Sequence, residues 1–329
     1  MKILHVLNSG SWGGAEKMIT RIVGLFNKEE IAILCLTGEL AAYFEEKGVT
    51  VFQVQSLTVL SIVNSYRKFK PDLIHAHDFR ATIFVQLGFF KVRTISHIHQ
   101  NPLWLRKLSL VVSLYDAFFS RNTIYVVVSL GVDLNVKNKI VVPNFVEDSS
   151  HLHVADKKLY TLGYFGRLES EKNPLLFIDL VKESVRNIPN LNAIICGKGS
   201  YEFELLRRIE DLGLSDVITF QGFVENVSEY YYCTKFLVNT SPREGFGLAS
   251  VEAGSVGVPS FYVRNSGLRE ILGDVRGDFE YSSVSEFVEK LKLEKNEKLY
   301  KKKSTYFRDN VKRFGIDQAY KNWSAIYFG

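Results

Sequence analysis

Cysteine is scarce in this 329-residue chain, and the three present, Cys35, Cys196 and Cys233, lie far apart, each within or beside an apolar run. That argues against a disulfide framework or a cysteine metal site and suits reduced core thiols in a cytoplasmic protein. Long apolar runs are missing too, since no uninterrupted stretch approaches the roughly 18–20 residues of a membrane span. The opening MKILHVLNSG reads as a strand without signal-peptide organisation. A strong charge imbalance is also absent: the formal net charge is +5. No nucleic-acid-binding motif accompanies it, so nucleic acid is not an expected partner.

What is present is an ordinary globular composition, 46% hydrophobic and 23% charged, over a length that suggests about two domains. Arg67, Lys68, Lys70, Lys91, Arg93, Arg106, Lys107 and Arg121 gather in the first part of the chain, interleaved with apolar and aromatic residues. In NPLWLRKLSLVVSLYDAFFSR, residues Leu105, Leu108, Val112, Tyr115 and Phe119 recur at helical spacing. Core packing is one reading of this run. A peripheral surface touching anionic lipid headgroups is the other.

Strand-like and helix-like stretches alternate from the first residues onward, which predicts parallel, doubly wound α/β sheets. Gly10, Gly13 and Gly14 follow the first strand, with Glu16 in the first turn of the next helix, where its charge suits the dipole. The glycine spacing is not G-x-G-x-x-G, which sets a Rossmann dehydrogenase aside. In doubly wound sheets the ligand crevice lies beyond the carboxyl ends of the strands, so His77, Asp78 and His99 are expected near its edge. Their spacing does not suggest a metal site, and a strand-end histidine has an ordinary structural reading. A polar stretch without periodic apolar pattern, near residues 146–158, is the expected linker. The alternation then restarts. The lysine-rich stretch from Glu286 to Lys303 reads as helix with a solvated face, and the aromatic, amphipathic end as a packed terminal helix.

The stretch FLVNTSPREGFGLASVEAGSVGVP, residues 236–259, reads as a buried strand, a glycine-rich turn and a helix N-terminus. Such a junction offers free N–H groups to an anion, with glycine allowing close approach. Glu244 and Glu252 frame it and could accept sugar hydroxyls. A capped helix with two solvated glutamates is the plainer alternative.

Several segments in order then carry a resemblance: GGAE at 13–16, HAHD at 75–78, PN at 143–144 and GRLESEKNP at 166–174, followed by CGKGS at 196–200, FQGFV at 220–224 and EGFGLASVEAGSVGVP at 244–259. The chain resembles the glycosyltransferases of family 4, with the GT-B architecture of two tandem Rossmann-like domains. The resemblance implies an N-terminal acceptor domain over 1–150 and a nucleotide-sugar donor domain over 151–313. A C-terminal helix of about 314–329 would pack back on the first. It implies a retaining, metal-independent transferase with no cofactor. The donor would be UDP- or GDP-linked and the acceptor lipid-linked or polysaccharide, as in bacterial surface-glycan assembly.

By the same resemblance Arg167 and Lys172 are the cations at the donor diphosphate, and Glu244 lies near the transferred sugar. Glu252 holds the ribose hydroxyls. Gly245, Phe246, Gly247 and Leu248 offer backbone N–H groups, and Gly222 and Val224 border the base. Gly13 and Gly14 border the phosphate and the acceptor entrance. His99 is the histidine at the sugar, with His97 its competitor. HIHQN and Phe145 depart from the usual family pattern, which bears on substrate rather than class. A sugar-nucleotide epimerase and a non-catalytic partner subunit are the alternatives.

Overall fold

The computed structural model describes residues 1–89, 91–99, 116–118, 122–129, 135–147, 158–274, 276–293 and 296–329. The aromatic run at 101–121, read above as core or as a lipid-facing surface, lies outside the described residues except 116–118, and so does most of the expected linker. The chain forms two compact units, one of Met1–Asn144 with Ala319–Gly329 and one of Phe145–Gln318. Among the described residues, no helix is long and apolar enough to cross a membrane.

The first unit holds strands β1 (Ile3–Leu7), β2 (Ile31–Leu36), β3 (Thr50–Val54), β4 (Leu73–His77), β5 (Arg93–Ile98), β6 (Thr123–Val127) and β7 (Lys139–Val141). Between them run helices α1 (Gly14–Gly24), α2 (Glu39–Glu46), α3 (Val59–Phe69) and α4 (Phe79–Phe89). All strands pair in parallel, in the order β3-β2-β1-β4-β5-β6-β7. β1, β4 and most of β5 are buried throughout, which explains why they read as continuous runs rather than alternating ones.

The two faces of this sheet differ in chemistry. Leu4, Val6, Ala32, Leu34, Ile74 and Ala76 point to one face, where Ile62 of α3 and Ala81 and Val85 of α4 close an aliphatic core. Leu7, Ile31, Ile33 and Cys35 point to the other, against Ile19 and Val23 of α1 and Leu40 and Phe44 of α2. The strand period of two puts His5, His75 and His77 on that second face. Starts and stops are locally encoded: Thr58 and Ser61 form a reciprocal capping box at α3. Lys70 ends that helix in the left-handed region.

The second unit contains β8 (Tyr160–Phe165), β9 (Ala193–Cys196), β10 (Ile218–Gly222), β11 (Thr234–Asn239), β12 (Ser260–Val263) and β13 (Glu280–Tyr281). These are parallel in the order β10-β9-β8-β11-β12-β13. Its helices are α5 (Pro174–Asn187), α6 (Glu202–Asp211), α7 (Ser228–Cys233), α8 (Leu248–Ser255), α9 (Leu268–Leu272), α10 (Val284–Leu293) and α11 (Glu297–Val311). The terminal helix α12 (Ile316–Phe328) begins in this unit and lies mostly in the first, where Trp323 and Tyr327 are buried.

Aromatic rings fill one face of the second sheet. Phe261 lies 5.4 Å from Phe236 and 5.0 Å from both Phe279 and Phe287, between ring centroids. The lysine-rich stretch departs from a simple solvated face. Lys290 donates to the carbonyls of Gly277 and Glu280, and Lys303 pairs with Asp278 at 2.8 Å, because long side chains reach back to the loop before β13.

Phe261 is fully buried. Phe261→Ala should lower unfolding free energy by about 3–5 kcal/mol, the usual cost of an aromatic cavity, read from urea denaturation. A loss near zero would mean that this ring cluster is not tightly packed.

Candidate functional site

Both sheets run 3-2-1-4-5-6 from one side, so connections leave in opposite directions from two neighbouring central strands. At such a switch point the loops diverge and leave room for a ligand. In the second unit these strands are β8 and β11, and their following loops carry GRLESEK and SPREGFG.

The loop after β8 is held by its own backbone and its neighbours. Tyr164 donates its hydroxyl to the Arg167 carbonyl at 2.8 Å, and Leu168 N–H donates to the Lys198 carbonyl at 2.9 Å. A side chain on Gly199 would meet the Leu168 carbonyl oxygen at 2.4 Å, so the CGKGS loop packs directly on GRLESEK. Glu169 accepts from both Ser200 N–H and its hydroxyl. A short turn, Ser170–Lys172, then presents Lys172, with Asn173 left-handed at φ 47° before Pro174 opens α5.

From the neighbouring loop comes Glu244. Lys172 Nζ donates to Glu244 Oε2 at 2.7 Å, joining residues 72 apart in the chain. Both side chains are largely buried, 20% and 10% exposed. Asn239 Nδ2 approaches the same carboxylate oxygen at 3.5 Å. Burial alone would raise the Glu244 carboxyl, but Lys172 and hydrogen bonds from Asn239 and Ser241 outweigh it and hold it below the usual carboxylate range. Thr240 donates to the Lys172 carbonyl at 2.6 Å, which fixes the backbone under the cation.

The helix after Glu244 starts at Gly247, whose φ of 73° lies in the left-handed region. A Cβ there would lie 2.3 Å from Leu268 Cδ2 and 3.3 Å from Glu244 Cγ, so conformation and space both require glycine. Gly245, Gly247 and Leu248 thus lie at the N-terminus of α8. The Phe246 side chain is buried against Phe314, leaving only its backbone for a ligand. Glu252, on α8 and half-buried, accepts from the Tyr231 hydroxyl at 3.0 Å. Gly222 ends β10 at φ 71°, and Val224 packs on the core beside Phe165 and Tyr231.

Arg167 is placed differently from Lys172. It pairs with Glu171 at 2.7 Å, both about half exposed, a contact of little energetic weight. It lies in the same loop, but its guanidinium donates to Glu171 and not to Glu244. Tyr231, Asn239 and Thr240 are supporting residues that sequence reasoning missed. Tyr231 sits in the run Tyr230-Tyr231-Tyr232, and only the fold distinguishes the ring that reaches Glu252.

In the first unit, Gly13 caps α1 and Gly14 opens it, with open space where a Gly14 side chain would be. His99 lies one residue past β5 and does not stand alone. His5, His75, His77, His97 and His99 share one face of β1, β4 and β5. His5 is level with His75, and His77 with His97. His5 Nδ1 and His77 Nε2 share a hydrogen bond of 2.9 Å, His77 Nδ1 and His99 Nε2 lie 3.4 Å apart, and His75 Nδ1 meets the Tyr327 hydroxyl at 2.8 Å. Among the described residues, His5 Nε2, His75 Nε2, His99 Nδ1 and both nitrogens of His97 are buried without a hydrogen-bond partner. Each such atom costs about 1–3 kcal/mol. Burial pushes all five imidazoles down, His5 to about 3 and His99 to about 4, with neighbouring imidazoles reinforcing the effect on His75, His77 and His97. Asp78, directly after β4, holds φ 93° and accepts from Ala81 N–H at 2.7 Å at the start of α4.

A family model described as "Glycosyl transferases group 1" matches residues 146–313. The chain belongs to this family. It is 34% identical over 103 residues to the lipopolysaccharide core biosynthesis mannosyltransferase LpsB of Rhizobium meliloti (strain 1021), a match covering 30% of this chain and 29% of that protein. The chain thus spans less than a third of that relative's length. Over 278 residues it is 24% identical to an α-1,4-N-acetyl-D-galactosaminyltransferase of Campylobacter jejuni acting on a diphospho-undecaprenol-linked saccharide, covering 77% of this chain and 76% of that one. The crystal structure of Anabaena Alr3699/HepE in complex with UDP and glucose superposes with a TM-score of 0.83 over 100% of both chains, at 19% identity. The fold is GT-B, built from two Rossmann-like α/β domains.

Two measurements follow from the geometry. Lys172→Met strands a buried carboxylate and should cost about 1–3 kcal/mol at pH 7. Because the folded Glu244 value is depressed, the pair's contribution is full above the ordinary glutamate value near 4.3. It is lost as pH falls through the folded value, so the two proteins should converge in acid, as read from urea unfolding across pH. An equal gap at every pH would remove Glu244 as the cause.

The histidines act over a higher window. Their folded values lie below about 6.5, so the stability of the neutral cluster is full above that and falls with pH, as the unfolded chain takes up protons the folded one does not. Each imidazole contributes up to about 1.4 kcal/mol per pH unit. A loss of several kcal/mol between pH 7 and 5 is expected in wild-type protein, and should shrink in His5→Phe. A flat profile would contradict the buried, neutral cluster.

Proposed function

We propose that this chain is a retaining, family 4 glycosyltransferase that moves a sugar from a nucleotide-linked donor to a lipid-linked or polysaccharide acceptor in bacterial surface-glycan assembly. It would act in the cytoplasm, at or near the inner face of the membrane, with no metal or cofactor required at the leaving group. The observation that carries this reading is the Lys172–Glu244 pair at 2.7 Å, set at the switch point beside a helix N-terminus.

In this reading the departing diphosphate lies against Lys172, Arg167 and the backbone N–H groups of Gly245 to Leu248. Negative charge developing on the leaving oxygen is then met by cations already in place, without reorganisation. Arg167, held by an exposed partner, swings to phosphate at little cost, and its fork suits phosphate oxygens. Lys172 shares its three donors between Glu244 and phosphate. Glu252, oriented by Tyr231, accepts the ribose hydroxyls, while Gly222 and Val224 border the base.

Glu244 stays ionised beside the transferred sugar and is not its nucleophile, since Lys172 occupies one of its oxygens. The departing phosphate takes the acceptor hydroxyl's proton as the new glycosidic bond forms on the same face. Gly13 and Gly14 are proposed phosphate contacts and His99 the sugar contact. His99 is preferred to His97 because it is half-buried at the strand end, whereas His97 is sealed in the sheet. The Anabaena structure contains UDP, which makes uridine diphosphate sugars the first donors to test, followed by GDP sugars.

A panel of nucleotide sugars should identify a donor by thermal shift and slow hydrolysis, and proton NMR of the product should show the donor's anomeric configuration. Glu252→Ala and Lys172→Ala should each cut transfer by about 100-fold or more with far-UV circular dichroism unchanged. Tyr231→Phe should raise donor KM by roughly 3–10-fold with kcat nearly unchanged. Full activity in both alanine variants would overturn the assignment.

A further inference from the structure

Five of the chain's seven histidines converge on one face of three adjacent strands, and that face is otherwise an apolar core. Packing alone does not account for them. An aliphatic or aromatic residue would fill the same space without leaving five ring nitrogens unpaired. The arrangement is also graded along the strands. His5 and His75 lie deepest, His77 and His97 one pleat further on, and His99 at the strand end, half-buried.

We propose that His77, His97 and His99 bind one divalent transition-metal ion of the zinc class. One ring nitrogen from each of these residues lies within 4.8 Å of the other two. Two imidazole nitrogens on one tetrahedral zinc, with bonds of about 2.0–2.1 Å, stand about 3.3 Å apart. The His77 Nδ1 and His99 Nε2 separation of 3.4 Å matches that edge. His97 brings two nitrogens without a partner among the described residues, one of them within 4.8 Å of the ligand atoms of His77 and His99.

The supporting contacts fit as well. His77 Nε2 is bonded to His5 Nδ1, so His77 can present Nδ1 as ligand while His5 fixes its tautomer and ring plane. Trp323 of α12 lies 5.1 Å from both His75 and His97, between ring centroids, and walls the cluster with apolar surface. The second trio, His5, His75 and His77, shares His77, whose Nε2 is already engaged by His5. A single ion per chain is therefore expected. An all-imidazole set selects zinc, nickel, cobalt or copper over magnesium or calcium. Three neutral ligands leave a fourth position and a double positive charge, suited to water or an anionic oxygen. The proposal is argued from the histidines alone and does not depend on the transferase reading, although it shares His99 with the sugar contact proposed there.

The test uses the full chain with its affinity tag removed, stripped with chelator and titrated with zinc sulfate by calorimetry and with cobalt by visible absorption. One zinc per chain and a tetrahedral cobalt spectrum are expected. His77→Gln and His99→Gln should each weaken binding by at least about 100-fold, beyond the roughly 10–100-fold that loss of a supporting contact brings. His151→Ala with His153→Ala, which removes the remaining two histidines, should leave binding unchanged. If His77→Gln does not fold, His99→Gln decides, because that residue lies past the end of β5. Absence of stoichiometric binding, retention of binding in His99→Gln, or its loss in the double alanine variant would each overturn the proposal.

Discussion

Each parallel sheet reverses its winding once, between two central strands, and the geometry of the candidate site depends on that reversal. The loops leaving β8 and β11 turn opposite ways, so the helices they feed pack on opposite faces and the space directly above the sheet stays free. Lys172 and Glu244 meet there because their strands are neighbours, although 72 residues separate them in the chain. Gly247 in its left-handed conformation lets the second loop close tightly enough on Leu268 for Glu244 to reach the lysine.

A largely buried ion pair is costly to desolvate, and its weight as a stabilising contact is correspondingly small. What it supplies is a lysine and a carboxylate held in fixed positions before any ligand arrives. Asn239, Ser241 and Thr240 complete the restraint from the same loop, through bonds to the carboxylate and to the lysine backbone. Arg167 lacks such restraint, and its exposed partner Glu171 leaves it free to move. The loop after β8 thus presents one restrained and one mobile cation.

The first unit uses the same topology for a different end. Its central strands β1 and β4 carry aliphatic residues toward α3 and α4, β5 sets Ser96 against Thr82 of α4, and His75 and His97 face α12. Burial keeps those rings neutral, the state in which each has one donor and one acceptor nitrogen. The terminal helix returns to this unit through Trp323 and Tyr327, both fully buried, and Arg93 anchors its last turn by donating to the Tyr327 carbonyl at 2.8 Å.

Much of this was legible in the chain itself. Continuous buried runs such as ILHVL and LIHAH, alternating with amphipathic helices, are a local property, and they determined two doubly wound parallel sheets. Residues such as Arg167, Lys172, Glu244 and Glu252 stood out because their motifs are contiguous and sit at strand–helix junctions. The short β13 escaped notice, since two residues carry no period. Tertiary structure alone decided which of three tyrosines holds Glu252, that Lys290 and Lys303 are bonded rather than solvated, and that five histidines form one cluster. The physical reason is the same in each case. The period of a strand assigns a side chain to a face, but which strands lie side by side is settled by winding and packing, and a single strand contains no record of its neighbours.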